Sequence, residues 1–162
     1  MRTTLEQMPI GVNVRLLSRP ASRLPGRASQ WRLESETHNL VVTTGKDLVA
    51  KVMSDESGFD TGLTYCEIGT GVNVPALTDV ALQTPTKRLI ITTKDRSANV
   101  VSYRTYFPAA DSSVFIKEIG LWGHSTATAT IGTGVMFNRA ALSYDNSAGT
   151  KDLTLLIQVT FG

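Results

Sequence analysis

The ten residues DLTLLIQVTF, Asp152 to Phe161, repeat with a period of two. Leu153, Leu155, Ile157, Val159 and Phe161 fall on one side, and Asp152, Thr154, Gln158 and Thr160 on the other; only Leu156 is out of step. A helix would scatter this set around its axis, whereas a strand sorts it onto two faces, one for a core and one for water. The same logic extends upstream. VVSYRTYF (100–107) alternates with Val101, Tyr103, Thr105 and Phe107 together, and LTYCEIG (63–69), KRLIITT (87–93) and NLVVTT (39–44, closed by Gly45) are β-branched runs. One helix is predicted over KDLVAKVM (46–53), where Leu48, Val49, Val52 and Met53 make a single apolar stripe ended by DESGFDTG. LTDVAL (77–82) is a turn or one helical turn, and the linkers NVPALTD, FPAADSS and YDNSAGT are turn-forming. The predicted class is mainly β, a β-sandwich or jelly-roll-like fold with one short helix and an extended N-terminal arm.

That arm is residues 1–30, and the sandwich domain is 31–162. The arm carries Pro20, Pro25, Gly26 and scattered serines and lacks a sustained helical or alternating pattern, so it is expected to be extended and without a core of its own. It holds Arg2, Arg15, Arg19, Arg23 and Arg27 against Glu6 alone, in a chain whose net charge is only +2, which leaves the remainder mildly acidic. Arginine is suited to forked contacts with carboxylate or phosphate. Aromatic residues are absent from 1–30, so a stacking platform for single-stranded nucleic acid is missing there, and nucleic acid is not the expected partner. The apolar residues Leu5, Met8, Ile10, Val12, Val14, Leu16 and Leu17 favour docking on another protein. Arg2, Arg15, Leu16, Leu17, Arg19, Arg23 and Arg27 are therefore the candidate partner-binding residues.

With 162 residues, 41% hydrophobic and 19% charged, the chain can bury a core without disulfide or metal. MRTTLEQMPI lacks the apolar stretch of a signal peptide, and the single Cys66 cannot close an intrachain disulfide; both suit folding in the cytosol. No run is long and apolar enough for a membrane helix.

Candidate chemistry is sparse. IGTGV occurs at 68–72 and again at 131–135, and a Gly-x-Gly after an apolar residue can cradle a phosphate. A dinucleotide site needs a third glycine three residues on, opening a helix; Val74 and Phe137 stand there instead. Both copies read as bends where glycine permits positive φ. Zinc would have to be built from His38, His124, Cys66 and carboxylates, and Asp55, Glu56 and Asp60 lack the alternating spacing of a calcium loop. Cys66 reads as a core residue, with a Cys–His pair to His38 or His124 as the alternative; Glu67 and Glu118 could form a carboxylate pair. No cofactor, metal or catalytic residue is predicted, and the chain is not expected to be an enzyme.

HNLVVTTGKDLVAKVM, CEIGTGVNVPALTDVAL, FIKEIGLWG and the closing DLTLLIQVTF, taken in order, resemble a module of tailed-bacteriophage virion proteins over residues 37–161. In that module a His-Asn strand leads into a Gly-capped helix. An IGTG turn with a T-D-x-x-L segment, an EIGL(F/W) strand and a final alternating strand follow. The resemblance implies a structural, non-enzymatic β-sandwich that often trimerises, found in fibres, collars or capsid decorations. The expected function is accordingly that of a virion component assembled in the host cytoplasm, first a capsid decoration or cement protein bridging neighbours through its arm. Its partners would be the major capsid protein or other virion proteins, and itself as a homotrimer. The alternatives are a collar, neck or tail-fibre-base part, or a nucleic-acid-binding protein using the basic arm. The chain departs from the module in QTPTKR (83–88), where Lys87 and Arg88 lack the usual acidic neighbour, and the arm lies outside it.

Overall fold

The computed structural model describes residues 9–21 and 29–162. Ten strands, β1 (Ile10–Pro20), β2 (Arg32–His38), β3 (Leu40–Val41), β4 (Leu63–Gly69), β5 (Pro85–Ile90), β6 (Thr93–Ser97), β7 (Val100–Phe107), β8 (Phe115–Gly123), β9 (Val135–Asp145) and β10 (Lys151–Phe161), accompany one α-helix, α1 (Thr43–Met53). A 3-10 turn, Ala109–Asp111, follows β7. They form a β-sandwich of two antiparallel sheets, ordered β2-β1-β10-β7-β6 and β3-β9-β8-β4-β5.

The alternation of β10 sends Leu153, Leu155, Ile157 and Val159 into the core, where they meet Ile68, Ile119 and Leu121 from the facing sheet. β4 and β7 run over the predicted residues, and β10 begins one residue earlier. The run 87–93 divides instead. β5 ends at Ile90 and β6 starts at Thr93 in the other sheet, so Ile91 and Thr92 carry the chain across the sandwich. Only Leu40 and Val41 of NLVVTT pair as a strand, because α1 begins at Thr43. Gly45 therefore lies inside the helix rather than ending a strand. It is there because a Cβ would come within 2.6 Å of the Phe137 carbonyl carbon, so the helix can rest on β9 only through a glycine.

The largest correction concerns the arm. Residues 10–20 are not a detachable leader but β1, hydrogen-bonded between β2 and β10, with an unbroken register from Ile10↔Phe161 to Pro20↔Lys151. Val12, Val14, Leu16 and Ser18 are buried, while Asn13, Arg15, Leu17 and Arg19 point outward. Arg15 and Arg19, two of the arginines that suggested a free arm, occupy the wet face of an amphipathic strand, and Pro20 costs little because it stands at the strand's last position. Leu16 belongs to the core, and Arg15 makes a 3.0 Å pair with Glu36 of β2. Arg19 lies 3.5 Å from Asp152, with its guanidinium 4.4 Å from the Trp31 ring centre and 5.7 Å from that of Tyr106. These residues act within their own sheet. Arg2, Arg23 and Arg27 lie outside the described residues.

Candidate docking surface

The outward face of the β3-β9-β8-β4-β5 sheet is not open to water. Glu67, Glu118, Trp122 and Arg139 all project from it and are all buried. Two loops cover them, 70–84 between β4 and β5 and 124–134 between β8 and β9. A small second core of Val42, Leu82, Trp122 and Met136 fills the space beneath, with Tyr65 against it.

Glu118 organises the first loop. Its Oε1 accepts from the backbone N–H of Gly71 (3.0 Å) and Thr84 (2.7 Å), and its Oε2 from Gln83 N–H (2.9 Å) and Arg139 Nε (3.0 Å). Arg139 Nη2 reaches the same carboxylate at 2.8 Å and also donates to the Asn73 carbonyl at 3.2 Å. Arg139 Nη1 donates to Asp79 Oδ2 at 2.7 Å, an oxygen that also accepts from Ala76 N–H at 2.8 Å. Burial works against ionisation of Asp79, but the Ala76 amide and the Arg139 guanidinium together hold its carboxyl below the ordinary value. The stability tied to that shift is present above the ordinary aspartate pKa and is lost as pH falls through the lowered folded value. Gln83 Oε1 accepts from Val72 and Asn73 N–H, and Thr43 N–H donates to the Leu77 carbonyl, which ties the loop to the start of α1.

Of the first IGTGV, Gly71 N–H meets a carboxylate, and that carboxylate is the protein's own Glu118, with Gln83 and Thr84 supplying the other amides. Gly71 is required by close approach: a Cβ there would come to 2.5 Å from Gln83 Cβ and 2.8 Å from Glu118 Cδ. Positive φ is not the reason, as had been anticipated for both copies; it applies to the second, where Gly132 and Gly134 have φ of 87° and 76°. Gly71→Ala should cost about 2–3 kcal/mol by forcing the carboxylate off its amides. A denaturant midpoint that does not move would show that the loop can yield.

The second loop hangs on Arg88. Its Nε donates to Glu67 at 2.6 Å, its Nη1 to the carbonyls of Thr133 (2.7 Å) and Thr128 (3.3 Å), and its plane lies 4.2 Å from the Trp122 ring centre. Burial pushes the Glu67 carboxyl up, against the pull of Arg88. The cations that sequence left without partners are therefore both paired, Arg88 with Glu67 and Lys87 with Asp111 at 2.6 Å. Glu67 and Glu118 do share a sheet face, but each is held by its own arginine rather than by the other.

Cys66 is fully buried between the sheets and hydrogen-bonds Thr105, and burial pushes its thiol up to about 12. The thiol is thus protonated at neutral pH and has Thr105, not a histidine, as its partner. A thiol reagent at pH 8 should label Cys66 only after denaturation; prompt labelling of the native chain would contradict this burial. His124 instead bonds Thr126 and lies tilted against Phe59, with ring centres 4.1 Å apart and planes at 58°, and His38 is exposed on β2. Asp55, Glu56 and Asp60 lie in the exposed loop after α1.

The anchored 70–84 loop shows four large aliphatic side chains to solvent, among the uncharged polar residues Asn73, Thr78, Gln83 and Thr84. Val72 is 69% exposed, Val74 84%, Leu77 49% and Val80 64%. Asp79 is the loop's sole charged residue, and Arg139 neutralises it. Apolar side chains held outward on a stiff, uncharged loop suit contact with another apolar protein surface. Sequence reading placed the docking residues on the arm and missed this loop. The available signal was four apolar side chains in a loop with a single charge.

No family model, curated protein sequence or solved structure matches this chain.

Proposed function

We propose that this chain is a non-enzymatic structural component of a tailed-bacteriophage virion, and within the virion a capsid decoration or cement protein. It attaches through the 70–84 loop rather than through an N-terminal arm. The observation that carries the reading is the buried Glu118–Arg139 pair, joined by the partly exposed Asp79, beneath the exposed Val72, Val74, Leu77 and Val80. Its charges are used for rigidity: they satisfy loop amides and one another, and they hold four aliphatic side chains outward at little further entropy cost on docking. The segments that resemble the virion module, CEIGTG, the Thr78-Asp79 step and KEIG, supply Gly71, Asp79 and Glu118 of this anchor. The resemblance therefore falls on residues that build a display loop. Imaging particles assembled with and without the chain tests the proposal. Extra density on the head supports it, density on the tail moves the protein to a collar or fibre base, and identical particles overturn it.

A further inference from the structure

The hydrogen bonds of the 70–84 loop decide how a partner can recognise it. Thr70 N–H donates to the Thr84 carbonyl at 2.9 Å and Gly71 N–H to Glu118 at 3.0 Å. The N–H groups of Val72 and Asn73 both donate to Gln83 Oε1, at 2.8 and 2.9 Å. Pro75 has no N–H to give. From Thr70 to Pro75, Val74 alone keeps an N–H without a partner among the described residues. The Asn73 carbonyl in turn accepts from Arg139 Nη2 at 3.2 Å. A strand added along this stretch would need a row of open donors and acceptors, and the row is already occupied from within the chain.

What remains for a partner is side chains. Val72 and Val74 are the two most exposed of the loop's large apolar residues. Valine has one side-chain torsion, restricted by branching at Cβ, so little freedom is lost when it enters a pocket. Gln83 holds this pair in place although its own side chain is exposed. Its N–H donates to Glu118 Oε2 at 2.9 Å, and its neighbour Leu82 is buried in the second core. Gln83 thus carries the fixed position of the buried carboxylate outward to the Val72 and Asn73 amides.

We propose that the partner recognises the 70–84 loop through side chains rather than by strand addition, with preformed apolar pockets for Val72 and Val74, and that Gln83 is the positioning residue that presents them. The proposal deepens the docking reading above and rests on it for the partner being a virion protein.

The test adds the full chain to particles that lack it and measures sedimentation, alongside amide hydrogen exchange of the free chain. Val74→Thr keeps the side chain's shape and adds a hydroxyl that an apolar pocket leaves unpaired. Affinity should fall at least tenfold while the melting temperature holds. Gln83→Met keeps the length and removes the acceptor, so exchange at Val72 and Asn73 should accelerate about tenfold and attachment should weaken several-fold. Gln83→Glu restores an acceptor oxygen and should restore the protection of both amides. A glutamine that served only the fold would instead lower the melting temperature of Gln83→Met and leave the affinity of the folded protein intact. The proposal is overturned by that result, by Val74→Thr pelleting as well as the parent, or by unchanged exchange at Val72 and Asn73 in Gln83→Met. A parent chain that itself fails to pellet overturns the virion reading and the recognition half of the proposal with it, while the exchange result still decides the role of Gln83.

Discussion

Glu118→Ala should lower stability by about 3–5 kcal/mol, because it removes one partner of a buried pair and strands the other. The Arg139 guanidinium would remain 3% exposed without its principal counter-charge, and the N–H groups of Gly71, Gln83 and Thr84 would lose their acceptor at once. Urea denaturation gives the total loss. Hydrogen exchange locates it, since amides in 70–84 should lose protection before those of β8. Glu118→Gln keeps one acceptor oxygen and should fall between the two, but it cannot meet both the amides and the guanidinium, so the loop should still loosen. A Glu118→Ala protein as stable as the parent would mean that the network contributes nothing net and the loop is held by Leu82 and the second core alone.

Removal of residues 1–20 should prevent folding, whereas removal of residues 1–8 leaves every strand of the described residues intact and should preserve the cooperative melt. The difference follows from topology. β1 bonds β2 on one side and β10 on the other, so its loss exposes Leu155 and Ile157 and leaves β2 without a neighbour in its sheet. Burial of Val14 and Leu16 alone stabilises the fold by roughly 2 kcal/mol each. A soluble, cooperatively melting fragment 21–162 would restore the detachable-arm reading.

Much of the sandwich could be read from the sequence where one strand face is apolar and the other polar. β7 and β10 are of this kind: β10 buries Leu153, Leu155, Ile157 and Val159, and β7 buries Thr105 and Phe107. β1 carries the same signal in Val12, Val14 and Leu16, but arginines on alternate residues and a proline at the end resembled a solvated leader more than the wet face of a strand. β2, RLESETH, has almost no apolar residues because it is an edge strand with both faces largely exposed, so periodicity cannot mark it. β9, VMFNRAALSYD, buries five consecutive residues, Met136 to Ala140, since one of its faces meets the main core and the other the second core and Arg139's network. Both faces are buried there, and alternation vanishes. The anchor was illegible for a related reason. Glu118 and Arg139 are neighbours only across the β8–β9 ladder, and the three amides that complete the carboxylate's shell arrive from a loop more than thirty residues away in sequence. Gly71 was visible as half of a Gly-x-Gly, but a close approach to a distant carboxylate leaves no mark that distinguishes it from a phosphate turn.

The docking loop can be tested on particles that lack this chain by adding it back and sedimenting. Val74→Asp and Val80→Asp together alter only exposed side chains, so the doubly substituted protein should fold as the parent does and melt at the same temperature within a few degrees. The parent should pellet with the particles, and the variant should remain in the supernatant, because each new carboxylate would be desolvated without a partner at the contact. If the folded variant pellets as well as the parent, attachment lies elsewhere and the 70–84 loop is not the docking element.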